Sequence, residues 1–105
     1  MMHTYRTVHG TKVYTDKKLT HCPNGQAGVR IDENGGVQLI SYTTIVIDID
    51  PHGWLVCHGT YSTTTARHIR AFCKEYAPKL SYHNCKDAYL NKYTINIHTG
   101  EIVSL

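Results

Sequence analysis

The fourteen residues from Val37 to Asp50, VQLISYTTIVIDID, constrain this chain more than any other segment. β-Branched and aromatic side chains fill it, and these fit a pleated, half-buried surface better than a helix. Leu39, Ile45, Ile47 and Ile49 share one parity and read as the buried face of a strand. Ile40, Tyr42, Val46, Asp48 and Asp50 share the other, which is part apolar and part charged. Asp50-Pro51-His52-Gly53 follows, with Asp first, Pro second and Gly fourth, as a type I turn prefers. Trp54 to His58 then returns as the antiparallel partner, giving a hairpin over 37–61. Trp54 and Tyr42 both lie near this hairpin and are candidates for mutual contact.

Weaker signals flank it. Residues 4–8 and 11–15, TYRTV and TKVYT, read as a short hairpin around His9-Gly10. Thr20 to Gly28 reads as a loop, and residues 29–32 as a strand entered from Gly28. Asn34, Gly35 and Gly36 are expected to supply the positive φ values of a tight turn. Ile69, Phe72, Cys73 and Tyr76 recur at i, i+3, i+4 and i+7, the apolar stripe of a helix over 65–76 that Pro78 ends. The hydroxyls of Ser62 to Thr65 are placed to cap its free N–H groups. Ser81 caps a second helix through about Leu90, with Tyr82, Cys85 and Tyr89 inward. Tyr93, Ile95 and Ile97 alternate as a strand, Thr99-Gly100 turns, and Ile102 to Leu105 closes a final hairpin. Strands, then two helices, then strands make an α+β class: an antiparallel β-sheet with two helices packed on one face. At 105 residues the expectation is a single compact domain over 1–105.

The net charge of +3 is only mildly basic, which suits an acidic protein surface or nucleic acid as partner. The amino terminus, MMHTYRTVHG, has no apolar core of signal-peptide length, and no apolar run reaches the roughly 20 residues of a membrane helix. The expectation is a cytoplasmic protein with no membrane association, whose Cys22, Cys57, Cys73 and Cys85 are reduced thiols.

Three constellations have chemical potential. The first is metal. Cys57-His58 and His21-Cys22 are adjacent pairs, but neighbours on a strand point to opposite faces and cannot easily share one ion. His83-x-Cys85 meets the same difficulty on a helix, so no metal and no cofactor is expected, with zinc as the alternative. The second is catalysis. Cys57, His58 and Asp48 can be assembled as a trio, yet no nucleophile elbow, phosphate loop or HExxH is present, so no catalytic residue is assigned. Asp48 and Asp50 share one strand face about 7 Å apart, as a cation site or as a solvated edge beside a turn. The third is a basic stripe. Arg67, Arg70 and Lys74 share one helix face, opposite Ile69, Phe72 and Tyr76, and suit phosphates or an acidic protein.

Residues 39–76 carry a further pattern: Ser41-Tyr42-x-Thr44, a turn, then Gly59-x-Tyr61-Ser62-x-Thr64-Thr65, with His68-Ile69 and Phe72 following. This resembles a family of small uncharacterised proteins carried by phages and mobile elements of Gram-positive bacteria. The resemblance implies a phage-type accessory protein that acts in the bacterial host by macromolecular binding. Its partner would be a host protein or ribonucleoprotein complex, as for inhibitors of host defence such as anti-CRISPR proteins. A nucleic-acid-binding regulatory module is the alternative, and a small hydrolase or nuclease would rest on scattered His, Asp and Tyr alone. Physically, Ser62, Thr63, Thr64 and His68 make either a hydrogen-bonded structural corner or, with a hydroxyl-ringed helix start, a place for an anionic group.

Overall fold

The β-rich stretch folds as two strands rather than one. The computed structural model describes residues 4–8, 11–22, 26–42, 44–60 and 62–105, with the two segments before residue 16 described by their backbone. In it the run from Val37 breaks at Ser41-Tyr42, giving β4 (Val37–Ser41) and β5 (Thr44–Ile49), paired antiparallel with Ser41 opposite Thr44. Tyr42 adopts φ 55°, a left-handed conformation rare for an aromatic residue. A tight hairpin of this length ordinarily uses Asn-Gly or Asp-Gly. Here the turn is held from outside, as described below. The register then slips between Leu39 and Ile40: Leu39 faces Ile47, while Ile40 faces Ile45. This bulge explains why Val46 and Ile47, adjacent in sequence, are both fully buried while Ile45 is only half-buried.

The remaining strands are β1 (Thr4–Val8), β2 (Thr11–Thr15), β3 (Ala27–Ile31), β6 (Trp54–Cys57), β7 (Tyr93–Asn96) and β8 (Ile102–Ser104). β1 and β2 form the expected hairpin, with Thr4 opposite Thr15 and Val8 opposite Thr11; its His9-Gly10 connection lies outside the described residues. The other six form one antiparallel sheet in the order β3-β4-β5-β6-β7-β8. β3 begins at Ala27, two residues earlier than the sequence suggested. Its outer edge is met by Lys17, whose N–H and carbonyl both bond Val29, and by the Asp16 carboxylate, which accepts the Ile31 N–H. In the turn between β3 and β4 only Gly35 takes a positive φ, not Asn34 or Gly36; the Asp32 side chain accepts the Asn34 and Gly36 N–H groups instead.

The expected turn between β5 and β6 forms, closed by the Gly53 N–H to the Asp50 carbonyl at 3.0 Å. Gly53 sits at φ 93°, and a Cβ there would stand 2.6 Å from the His98 ring. Gly53→Ala should therefore destabilise the protein by about 1–3 kcal/mol, through backbone strain and that clash. Chemical denaturation of the variant checks it, and an unchanged midpoint would refute it. Trp54 begins β6 at this end of β5, whereas Tyr42 sits at the other end, so the two rings do not meet.

Helices α1 (Thr63–Tyr76) and α2 (Tyr82–Leu90) lie between β6 and β7 in sequence and pack on one face of the sheet, α1 against β4 and α2 against β6 and β7. Ser62 caps α1 by accepting the Thr65 N–H, and Ser81 with Asn84 makes a reciprocal capping box on α2. The core between the layers joins Val29, Leu39, Ile47, Ile49, Leu55 and Ile95 to Ile69, Phe72, Cys73 and Cys85. Leu19 is also fully buried, and its segment is tied to α1 by the Glu75 carboxylate, which accepts the Thr20 and His21 N–H groups. On α2 the buried residues are Cys85 and Ala88; Tyr89 turns outward, contrary to expectation, at 42% exposure. The helix is rotated so that Cys85 meets Cys73, which leaves Tyr89 at the margin.

Candidate binding face

The exposed side of α1 follows from its periodicity. With Ile69, Phe72 and Cys73 buried in the core, the opposite positions must face water. Thr63, Arg67, Arg70 and Lys74 stand at i, i+4, i+7 and i+11, within about 60° of arc on an ideal helix, and all four are exposed. The hydroxyl-rich entry thus joins the basic stripe through Thr63. Ser62 is exposed but spends its hydroxyl on the cap, and Thr64 is half-buried.

The acids nearby in sequence are already engaged. Glu75 holds the backbone of Thr20 and His21. Asp87 accepts from the Tyr93 hydroxyl at 2.5 Å and from the Asn91 amide at 2.8 Å; the first bond helps push the Tyr93 phenol up to about 12. Among the described residues, no carboxylate lies within ion-pair distance of Arg67, Arg70 or Lys74. Among the described residues, no acid neutralises the stripe.

Beside the stripe runs a groove of about 380 Å³ between the helices. Arg70 and Lys74 form one rim, Tyr82 and His83 the other, and Cys73, Pro78 and Leu80 supply apolar surface between them. The Arg70 guanidinium lies 4.8 Å from the Tyr82 ring centroid, a cation–π contact that holds the fork in place without consuming its charge. The short connection 77–81 makes the groove inevitable, since it sets two helices side by side. From the sequence alone, His83 stands out only as a candidate metal ligand, and Tyr82 and Leu80 have no site role. That five-residue link was the signal that could have placed them opposite Arg70.

His68 is not on this face. It is fully buried on the other side of α1, where its Nδ1 meets the Ser41 hydroxyl at 2.7 Å. Ser41 Oγ lies 3.5 Å from Thr65 Oγ1, and Thr65 Oγ1 lies 3.2 Å from Ser62 Oγ. The Tyr42 ring tilts against the imidazole, with centroids 5.8 Å apart, and the Tyr42 N–H bonds the Gln26 carbonyl. The pattern residues Ser41, Tyr42, Ser62, Thr65 and His68 therefore converge into one corner that pins the strained β4–β5 turn to the start of α1. Ser41 is 2% exposed and His68 0%, so this serine–histidine pair is closed to solvent. Tyr61 lies outside the described residues.

The other candidates separate. The His58 Nε2 meets the Asp48 carboxylate at 2.7 Å, and the Gln38 amide holds the other oxygen. Cys57 points the opposite way, into the core, with its thiol on the Gly59 carbonyl and its pKa pushed up by burial. The sheet itself stands between the would-be nucleophile and its base. Asp48 and Asp50 do border one depression, with Asp32 and Trp54. Asp50, however, accepts the His52 and Trp54 N–H groups, and Asp32 is bound within its own turn. These carboxylates organise turns. Among the described residues no group of three His, Cys, Asp or Glu gathers to hold a metal ion, and no helix is long and apolar enough to cross a membrane.

Residues 6–89 match the model of a family of unknown function, DUF8033, and the chain belongs to that family. No curated protein and no solved structure matches the chain.

Proposed function

We propose that this protein works by binding a macromolecule, a host protein or ribonucleoprotein complex, through the Thr63, Arg67, Arg70 and Lys74 face of α1. One observation carries the reading: three cations on one exposed stripe, with no acid among the described residues paired to them, bordering a groove with apolar walls. Arginine suits such a contact because its planar fork pairs at two points with carboxylates. The groove favours a protein partner, since it offers apolar surface that a phosphate backbone does not need. Inhibition of a defence complex in a bacterial host is the biological form of this reading, and it rests on the resemblance of the Ser41 to Phe72 pattern to phage-borne proteins. A nucleic-acid-binding module is the second reading, and the same exposed cations support it.

The test is the triple variant Arg67→Ala, Arg70→Ala and Lys74→Ala. The three side chains point away from the core, so stability should change little. Affinity for a partner recovered from host lysate should fall at least tenfold, since each good charge-assisted contact contributes roughly 1.5–3 kcal/mol. Unaltered affinity in a folded triple variant would refute the assignment. Recovery of no protein partner, with tight and salt-dependent binding to DNA or RNA, would move the reading to the nucleic-acid module.

A further inference from the structure

The groove between α1 and α2 has a feature that the binding reading does not use. Cys73, on its floor, lies with its sulfur 3.7 Å from that of Cys85, which is fully buried behind it. We propose that Cys73 and Cys85 are a thiol–disulfide site that reacts with hydroperoxides entering this groove, Cys73 as the attacking thiol and Cys85 as the resolving one.

The geometry assigns the roles. Cys73, 2% exposed, is the member of the pair that borders the groove, together with Arg70 and Lys74. Cys85 has no exposed surface, and its sulfur meets that of Cys73. The hydrogen bond between the thiols works in the same sense: donated by Cys85, it lowers the Cys73 pKa and raises that of Cys85, which burial raises further. Hydrogen peroxide is close to water in size, so the groove admits it easily.

In the first step the Cys73 thiolate attacks one peroxide oxygen and the O–O bond breaks. Cys73 becomes a sulfenic acid, and the leaving hydroxide takes up a proton as water. In the second, the Cys85 sulfur attacks the Cys73 sulfur, the S–O bond breaks, and the thiol proton leaves with hydroxide as a second water. Two thiols and one peroxide give one disulfide and two waters, with two electrons passing from sulfur to oxygen. The sulfurs must close from 3.7 Å to about 2.0 Å, a movement that draws α2 toward α1. What sets the pair apart is the neighbouring thiol, because among the described residues only Cys73 and Cys85 bring two sulfurs into contact. Cys57 is buried with its thiol on the Gly59 carbonyl, and Cys22 lies half-buried at the core margin.

The experiment treats the reduced, folded protein with hydrogen peroxide, quenches with catalase, alkylates under denaturing conditions and maps the peptides by mass. The expected product is a Cys73–Cys85 linked peptide, two hydrogens lighter and reversed by dithiothreitol, formed at least about tenfold faster than oxidation of Cys22. In Cys85→Ser the reaction should stop at a Cys73 sulfenic acid that dimedone traps, and in Cys73→Ser the Cys85 thiol should stay reduced. Retention of four alkylatable thiols in the wild-type protein, or oxidation first at Cys22 or Cys57, would overturn the proposal. The wild-type map decides even where a serine variant fails to fold.

Discussion

Phe72→Ala should destabilise the protein by about 3–5 kcal/mol, a large share of the 5–15 kcal/mol that holds a typical domain folded. Phe72 is 0% exposed, stacks on Tyr76 with ring centroids 5.0 Å apart, and joins the core between α1 and the sheet. Its removal takes the largest fully buried side chain among the described residues out of the core and leaves a cavity. In a thermal melt followed by circular dichroism this corresponds to a fall of roughly 12–40 °C in the midpoint, enough to leave much of the protein unfolded when warm. A loss below 1 kcal/mol would show that α1 is not seated on the sheet through this ring. The contrast with the basic stripe is the useful control: Phe72 and Arg70 are two residues apart, yet Phe72→Ala should weaken the fold severely and Arg70→Ala should change stability little.

That contrast was legible in the sequence because a helix with a 3.6-residue period sorts its own faces. Its period assigns Ile69, Phe72 and Cys73 to the core and Arg67, Arg70 and Lys74 to the surface, and all six lie there. The Ser81 cap was legible because it satisfies an N–H group next to it in sequence, whereas Ser62 was one of several candidate hydroxyls and the helix it caps begins at Thr63, two residues before the expected start. What failed depended on distant partners. Ser41-Tyr42-Thr43-Thr44 contains no Gly, Pro, Asn or Asp, so nothing local marks a turn there, and the run from Val37 reads as one strand. The bulge beyond it is equally silent, because Val46 and Ile47 become neighbours in burial only once β4 is paired. Leu19 sits in a connection with no periodicity and is drawn inward with the segment that Glu75, 55 positions away from Thr20, holds to α1. The groove wall is half legible: Tyr82 reads as inward and does pack half-buried against the core, but the sequence does not show that Arg70 lies over its ring.

The corner that replaces local turn chemistry can be isolated by a double-mutant cycle. His68→Ala alone should cost about 2–4 kcal/mol, because it empties a fully buried site and takes the imidazole partner from the Ser41 hydroxyl. Ser41→Ala alone should cost about 1–3 kcal/mol, since the buried Nδ1 then loses its hydroxyl partner. The double variant should be cheaper than the sum by about 1–2 kcal/mol, because neither group is left facing an emptied partner position. The same variants carry a structural readout. Tyr42 keeps φ 55° while its ring packs on His68 and its N–H stays on Gln26, so loss of His68 removes a restraint on a strained residue. Amide exchange at the β4–β5 turn should accelerate in His68→Ala well beyond what global destabilisation explains, while exchange at β6 and β7 should follow global stability alone. Strictly additive energies, with uniform acceleration across the sheet, would mean that Ser41 and His68 are ordinary core residues and that some other contact holds the turn.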